Sequence, residues 1–216
     1  MITRFDKDNF RGFADELTLR DPDLKRIVDT WGYPPMWTRP PGFASLVLII
    51  LEQQVSLASA FAAYKKLTEF AGQITPEAIL QMSDAELRAC YFSRQKTGYV
   101  RHLANLITSG TLRLELMDNM SDEEVRTALK QVKGIGDWTA DIYLIFCLQR
   151  ADHFPVGDLA MVNSMRFEKR ISSDVLKPGL IEIAEQWRPF RSIATMVLWH
   201  GYIRRKDMAV PDSYNT

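Results

Sequence analysis

Apolar residues recur every three to four positions over most of the chain, and this spacing predicts α-helices nearly throughout. No segment shows the alternation of apolar and polar residues that marks paired strands. Capping residues mark helix starts, as in Asp21-Pro22, where the proline fits the first turn, and in the capping box of Ser83 and Glu86. We therefore predict an all-α fold of about ten helices. Predicted helices include 8–19, 22–31, 43–54, 56–70, 93–107, 158–170, 178–187 and 189–202, with a loop at 32–42 and an extended tail at 206–216.

One turn between two of these helices carries two glycines. The segment 133–136, Lys-Gly-Ile-Gly, follows a helix that ends at Val132 and precedes a helix that begins near Asp137. Glycine permits positive φ or close backbone approach, and here it also leaves the amides ahead of the second helix uncovered. These amides and the positive end of the helix dipole favour an anion. The turn therefore predicts a phosphate site, and Asp158 places a carboxylate at the start of the following helix.

The composition is that of an ordinary globular protein. The chain has 216 residues, of which 46% are hydrophobic and 25% are charged, so it can bury a substantial core. No apolar run approaches the roughly 18–20 residues that cross a membrane, and the N-terminus lacks the apolar stretch of a secretory signal. We expect no membrane partner and an intracellular location, which is cytoplasmic or, in a eukaryote, nuclear.

The charge balance bears on whether the partner is a nucleic acid. The formal net charge is zero, which argues against such a partner because nucleic-acid-binding domains are usually basic. The distribution is uneven, however, since 87–114 and 186–206 carry basic side chains without an acid, while acids concentrate at 6–29 and 115–124. Two interpretations stay open: a positive face with a negative back, or ordinary solvated helix faces.

The cysteines and histidines do not predict a metal site. Cys90 and Cys147 lie far apart in apolar surroundings, which favours reduced core residues, and two cysteines cannot hold an iron–sulfur cluster or a thiolate zinc site. The three histidines lack metal-ligand spacing. The chain also has no Gly-rich nucleotide loop and no Gly-x-Ser-x-Gly elbow, so we expect no metal and no nucleotide cofactor.

Four segments in order carry a resemblance to a known family. They are Glu-Gln-Gln-Val-Ser at 52–56, Gly-Ile-Gly-Asp-Trp-Thr-Ala at 134–140, Phe-Pro-Val-Gly-Asp at 154–158 and Trp-Arg-Pro-Phe-Arg at 187–191. Together they resemble the helix-hairpin-helix superfamily of DNA glycosylases, and within it the alkylation-repair branch of DNA-3-methyladenine glycosylase II. The resemblance covers roughly residues 20–205.

The resemblance implies an architecture and a function. It implies one helix-hairpin-helix glycosylase domain over 1–216, with a central lobe at about 56–137, a second lobe from 1–55 plus 138–216, and a DNA-binding cleft between the lobes. The implied function is a monofunctional DNA glycosylase that excises alkylated purines in base excision repair, acting on double-stranded damaged DNA as a monomer. The alternatives are a glycosylase for other damaged or mismatched bases, and a catalytically inactive DNA-binding protein that uses only the hairpin.

By the same resemblance, Asp158 is the expected catalytic residue. Cleavage of an N-glycosidic bond builds positive charge on the sugar, so a fixed negative charge nearby stabilises the transition state. A unit pair at 4 Å in an effective dielectric of about 20 is worth roughly 4 kcal/mol, or on the order of a thousandfold in rate. The alternative is that Asp158 only caps the helix that begins at Leu159. The two roles are compatible.

A flipped base needs aromatic surfaces to stack on, and Tyr33, Trp37 and Trp138 are the expected base-pocket residues. An electron-rich aromatic pocket suits cationic methylated purines through cation–π attraction. Trp138 stands where the lyase-competent branches of the superfamily carry a lysine nucleophile. Because an indole cannot form a Schiff base, the resemblance implies hydrolysis by water. The alternative for each aromatic residue is a plain core position.

The remaining expectations concern DNA contacts. The resemblance places Gln54 in the gap left by the extruded nucleotide and makes the helix start at Ser93 a second phosphate-binding element, with Tyr91 where a glycine is common. The hairpin amides should contact phosphate without reading sequence. The resemblance implies no cofactor apart from a monovalent cation held by backbone carbonyls around the hairpin. The residues expected to bind DNA are Gln54, Ser93, Arg94, Lys96, Lys133, Gly134 and Gly136.

Overall fold

The computed structural model describes residues 3–210, and this part of the chain is helical with no strand. An isolated antiparallel bridge joins Arg4 to Arg150. Of the predicted tail at 206–216, residues 211–216 lie outside the described residues. The α-helices are α1 Phe10–Arg20, α2 Pro22–Trp31, α3 Phe43–Glu52, α4 Leu57–Ala71, α5 Pro76–Gln81, α6 Asp84–Ala89, α7 Arg94–Thr108, α8 Asp122–Lys130, α9 Asp137–Phe146, α10 Leu159–Lys169, α11 Lys177–Ala184 and α12 Arg191–Arg205. Two 3₁₀ helices span Leu114–Asn119 and Glu185–Trp187.

Most helices begin where the sequence places a cap. The side chain of Asp21 accepts hydrogen bonds from the amides of Asp23 and Leu24, with Pro22 in the first turn of α2. Capping boxes begin α6 at Ser83 and α8 at Ser121. The predicted starts are therefore confirmed at these caps, whereas α1 and α12, which begin without a side-chain cap, start two residues later than predicted.

Helix ends depart more from the prediction. We predict a helix to residue 54, but α3 ends at Glu52 because Gln53 leaves the helical region and Gln54 takes a positive φ of 58°. The end of α3 is anchored by a buried ion pair, in which both guanidinium nitrogens of Arg39 bond the carboxylate of Glu52 at 2.9 and 2.6 Å. The 3₁₀ helix at Leu114–Asn119 is absent from the prediction.

The chain divides into two compact units. The first contains Met1–Thr38 and Gln149–Thr216, and the second contains Arg39–Leu148. The predicted lobes have the same two-part plan but different boundaries, since 39–55 and 138–148 fall in the second unit. The reason is packing: α3 is apolar on nearly all sides and packs against α4, α7 and α9, so those neighbours keep it in their unit.

Each unit has its own apolar core. In the first unit α12 packs against α1, α2 and α10, around Leu17, Leu24 and the fully buried Trp187. In the second unit α3 supplies the core, and α8 packs against α9 to form the hairpin pair. Cys90 and Cys147 are buried and unbridged, in agreement with the prediction. Within the described residues, no helix combines the length and apolarity that crossing a bilayer requires.

Candidate active site and nucleic-acid interface

The two-glycine turn lies between α8 and α9 in the second unit. Its two glycines differ in backbone conformation and in the space around them. Gly134 has a φ of +88°, and a Cβ there would lie 2.3 Å from the ring of Tyr99. Gly136 has an extended backbone, with φ −109° and ψ −169°, and a Cβ there would meet no atom of the part of the chain that the structure describes within 4 Å. The prediction of positive φ or close approach is therefore confirmed for Gly134. Gly136 has no positive φ, and the described residues leave open space beside it, so close approach of a phosphate there stays a prediction.

Side chains fix the turn from both sides. The Nε2 of Gln53 donates to the carbonyl of Gly134 at 3.0 Å and to the hydroxyl of Thr139 at 2.9 Å. The amide of Lys133 donates to Nδ1 of His102 at 2.9 Å. Among the described residues, no side chain caps the first turn of α9, whose N-cap is Gly136. The hairpin is thus held rigidly while the start of α9 lacks a side-chain cap, which is the arrangement an anion site needs.

An acid also lies at this helix start. Asp137 is the first residue of α9, and the Nζ of Lys130 bonds its carboxylate at 2.6 Å. This hydrogen bond lowers the pKa of the Asp137 carboxyl. Arg126 bonds Asp141 one turn further along and so joins α8 to α9. Lys130 therefore offsets a negative charge that would otherwise repel a phosphate at the turn.

The second predicted phosphate element begins α7 in the same unit. Ser93 is the N-cap of α7, and its hydroxyl accepts from the amide of Lys96 at 3.2 Å. The Nζ of Lys96 bonds the carbonyl of Leu51 at 2.6 Å, and burial lowers the pKa of this lysine. As a result Lys96 ties α7 to the end of α3. Arg94 and Gln54 are exposed, as their predicted DNA contacts require.

Asp158 lies in the first unit, half-buried, as the N-cap of α10. Its Oδ1 accepts from the amide of Met161 at 2.8 Å and from Nε1 of Trp199 at 2.9 Å. The capping role is therefore present. The carboxylate is oriented by two N–H donors on two different helices, which restricts its rotation.

The loop that delivers Asp158 is bound to the start of α12. The amide of His153 donates to the hydroxyl of Ser192 at 2.9 Å, and that hydroxyl donates to the carbonyl of Arg150 at 2.7 Å. Arg191 bonds both oxygens of Asp152, at 2.8 and 3.1 Å. These contacts explain the segment 187–191 physically, because it positions the loop that ends in the candidate carboxylate.

Comparison with known proteins agrees with this geometry. The family model described as "HhH-GPD superfamily base excision DNA repair protein" matches residues 47–189. This range includes the two-glycine turn, Asp158 and most of the segment that holds it. The chain belongs to this superfamily.

Individual superfamily members are similar over most of the chain. DNA-3-methyladenine glycosylase 1 of Schizosaccharomyces pombe is 33% identical over 187 residues, which cover 83% of this chain and 82% of that protein. The structure of the 3-methyladenine DNA glycosylase of the same yeast in complex with abasic DNA superposes with a TM-score of 0.81 at 31% identity, covering 87% of this chain and 95% of that chain. A putative DNA-3-methyladenine glycosylase of Bacillus subtilis is 28% identical over 160 residues. The matched region covers 70% of this chain but only 56% of that protein.

Each of the predicted base-pocket residues has its own local surroundings. The hydroxyl of Tyr33 bonds Asp15 and its ring lies under the guanidinium of Arg11, at 4.4 Å, so Tyr33 is held against α1. Trp37 lies against α12, with its ring 6.5 Å from that of His200.

Trp37 and Trp138 have different surroundings. Trp37 lines a hollow of about 410 Å³ in the first unit with Trp31 and Arg204. Trp138 is half-buried in the first turn of α9, directly after the hairpin. Burial lowers the pKa of His200 beside Trp37. A stacking role for each of the three predicted aromatics stays a prediction.

Sequence reasoning missed Trp199. It lies on the apolar side of α12 and is only 8% exposed, so its pattern is that of a core residue. A buried indole N–H usually finds an acceptor, which was the available signal, but the acceptor is 41 positions away in sequence. Only the packing of α10 on α12 identifies Asp158 as that partner.

Proposed function

We propose that this chain hydrolyses the N-glycosidic bond of alkylated purines in double-stranded DNA, with Asp158 as the essential carboxylate. The observation that carries the proposal is the position of Asp158, which is half-buried and accepts hydrogen bonds from Met161 and Trp199. The chain belongs to a superfamily of base excision repair proteins, which gives this carboxylate its proposed role. The names of the relatives support alkylated purines as the substrate class. On this basis the chain is a DNA glycosylase of base excision repair.

The carboxylate acts by charge. As the base leaves, positive charge develops on the sugar, and a fixed carboxylate close to the anomeric carbon stabilises it more strongly than it stabilises the ground state. The N–H groups of Met161 and Trp199 hold the carboxylate in one orientation before the reaction begins. The same carboxylate orients the attacking water. Cationic purines such as 3-methyladenine are activated leaving groups, so this modest machinery suffices.

Hydrolysis rather than lyase chemistry follows from Trp138. The side chain at position 138, two residues after the turn, is an indole, which supplies no amine for a Schiff base. Water is then the acceptor, and the product is an abasic site in an intact strand. The aromatic residues Tyr33, Trp37 and Trp138 remain candidates for stacking on the extruded base.

The DNA contacts proposed here come from the second unit. The amides of Gly134 and Gly136, with Lys133 and the helix start at Ser93, bind phosphates, while Gln54 fills the gap. The protein acts as a monomer without a cofactor. A monovalent cation at the hairpin would bind backbone carbonyls. The carbonyl of Gly134 already accepts a hydrogen bond from Gln53. Because the substrate is DNA, we place the protein in the cytoplasm or, in a eukaryote, the nucleus.

Mass spectrometry of released bases tests the proposed function. The purified chain is incubated with a mixture of duplexes that carry methylated, oxidised, deaminated or mismatched bases. We expect free methylated purines, an abasic site that alkali converts to a strand break, and no break before alkali. Release of oxidised or mismatched bases alone would support the rival glycosylase, and DNA binding without release would support an inactive binding protein.

A further inference from the structure

Tyr91 is an exposed aromatic residue in a strained backbone position. Its side chain is 67% exposed, and its φ is +65°, in the left-handed region. A bulky residue rarely adopts this region, which favours glycine. The backbone is fixed there by the amide of Tyr91, which donates to the carbonyl of Arg88 at 3.0 Å. Within the part of the chain that the structure describes, no residue hydrogen-bonds the Tyr91 hydroxyl, so the fold gives no reason for a tyrosine at this position.

A second exposed apolar residue lies beside it. Tyr91 and Val55 line the same hollow of about 260 Å³, with the small residues Ala60 and Ala63 among its other walls and Lys96 at its edge. Val55 is 47% exposed. Two exposed apolar side chains that share one hollow form a small apolar patch on the surface.

The hollow belongs to the proposed DNA-binding face of the second unit. Lys96, whose Nζ bonds the carbonyl of Leu51, joins α7 to the end of α3. Gln53, which precedes Gln54 and Val55, donates to the carbonyl of Gly134 in the two-glycine turn. The hollow therefore lies between the residue proposed to fill the gap in DNA and the helix start proposed to bind phosphate, with a lysine beside it.

We propose that Tyr91, with Val55, is the stacking surface for a DNA base that loses its neighbour when the damaged nucleotide is extruded. This inference rests on the proposed function, because it requires DNA on this face. Every base has an apolar π-face, so an aromatic ring accepts any of them without reading sequence. The strained backbone holds the ring outward, and the aliphatic Val55 forms the neighbouring wall.

The strain provides a test that separates a DNA contact from a structural role. Tyr91→Gly removes the ring and also relieves the left-handed backbone. We expect the thermal midpoint of the variant to equal or exceed that of the wild type. Its affinity for a duplex with a tetrahydrofuran abasic analogue should fall roughly 5- to 100-fold, the range of one base–aromatic stack. Its affinity for an undamaged duplex should fall much less, because there no base has lost its neighbour.

Two further variants serve as controls. Tyr91→Phe keeps the ring and should bind both duplexes as the wild type does. Phe70→Ala removes an aromatic ring that is 53% exposed on α4 but does not line the hollow, and it should leave both affinities unchanged. Equal affinities of Tyr91→Gly and wild type for the abasic duplex would overturn the inference. An equal loss on both duplexes would also overturn it, by showing a general contact.

The same experiment distinguishes this inference from the proposed function. If the wild type releases methylated purines and Tyr91→Gly binds the abasic duplex with wild-type affinity, the inference fails and the function stands. If the wild type releases no base and yet Tyr91→Gly selectively loses abasic-duplex binding, the inference stands and the glycosylase activity fails.

Discussion

The hydrogen bond between Trp199 and Asp158 is the residue-scale feature on which the proposed chemistry depends most. It joins α12 to the start of α10, and it shares the Oδ1 of Asp158 with the amide of Met161. A carboxylate with one oxygen held by two donors has few rotamers open to it. Trp199 is therefore a positioning residue for the proposed reaction.

Trp199→Phe should slow the release of methylated purine about 10-fold, since a hydrogen bond to a charged group contributes about 1.5–3 kcal/mol and only part of that acts in the transition state. The loss should appear in the single-turnover rate, with DNA affinity unchanged. Combined with Asp158→Asn, the phenylalanine should have no further effect on rate. An additive loss in the double variant would show that Trp199 acts independently of Asp158.

Sequence patterns identify Asp158 as a candidate site residue but do not identify Trp199. A Gly-Asp pair before an apolar helix marks Asp158 as a cap, and the structure confirms the cap. Nothing local marks Trp199 or the exposed ring of Tyr91, because partner choice and exposure depend on tertiary packing. The position of Lys96 is equally unpredictable from sequence, since its ammonium bonds the carbonyl of Leu51.

At the scale of elements, the hairpin contains a matched pair of glycines. Gly134→Ala should destabilise the fold, because its Cβ would lie 2.3 Å from Tyr99 at a φ of +88°. Gly136→Ala should fold with the wild-type thermal midpoint, because its Cβ would meet no atom of residues 3–210 within 4 Å. The same change should weaken DNA binding about 10-fold or more by obstructing phosphate approach.

Fluorescence anisotropy with a duplex and thermal denaturation measure the two properties separately. Wild-type DNA affinity in Gly136→Ala would show that the phosphate does not approach the hairpin at this residue. Gly134→Ala serves as the control in which stability, rather than contact, is lost.

A second element-scale prediction concerns the cap of α2. Burial raises the pKa of the Asp21 carboxyl, but hydrogen bonds from Lys169 and Trp187 outweigh it and hold that pKa below its ordinary value of 3.8. A lowered folded-state pKa contributes stability that is present above pH 3.8 and is lost as the pH falls through the lower folded value. Asp21 thus stabilises the first unit at neutral pH.

Asp21→Asn keeps the cap but removes the charge opposite Lys169. We expect it to lose about 2 kcal/mol of unfolding free energy at pH 7, since the mostly buried Lys169 ammonium loses the carboxylate at 2.6 Å and keeps only that of Asp23 at 3.2 Å. Below pH 3.8 the wild type should lose this advantage, so the two stability curves converge. Denaturant titrations between pH 7 and pH 3 measure this, and parallel curves would contradict the assignment.

Elements were also the scale at which sequence reasoning worked best. Helix starts are encoded locally, by Asp21, Ser83, Ser93 and Ser121, and each lies where predicted. Helix ends depend on less specific signals. The positive φ of Gln54 that shortens α3 has no local marker, because the residue there is neither glycine nor asparagine.

At the scale of the whole molecule, the zero net charge requires that DNA binding come from localised contacts. In the basic run at 186–206, acids pair with three of the five cations, so much of its positive charge is offset. Arg188 and Arg191 bond Asp152 and Glu185, and Arg205 bonds Glu168. Sequence proximity alone could not show this pairing, since Asp152 and Glu168 are distant in the chain.

The salt dependence of DNA binding tests which cations contact phosphate. Lys133 is exposed at the turn, so Lys133→Gln should reduce the slope of log K against log salt by about 1. Arg205→Gln serves as the control and should leave the slope unchanged, because Arg205 bonds Glu168 and its guanidinium stacks on Phe167 at 3.9 Å. The reverse ranking of the two variants would assign the phosphate contacts to the first unit.

The most direct test of the central claim is the single-turnover rate of methylated-purine release by Asp158→Asn. Asparagine caps helices as well as aspartate, so the variant should keep the α10 cap and the wild-type thermal midpoint while losing only the charge. We expect the rate to fall on the order of a thousandfold or more, with affinity for an abasic-analogue duplex kept or increased. A release rate equal to that of the wild type would contradict the account and remove Asp158 from the reaction.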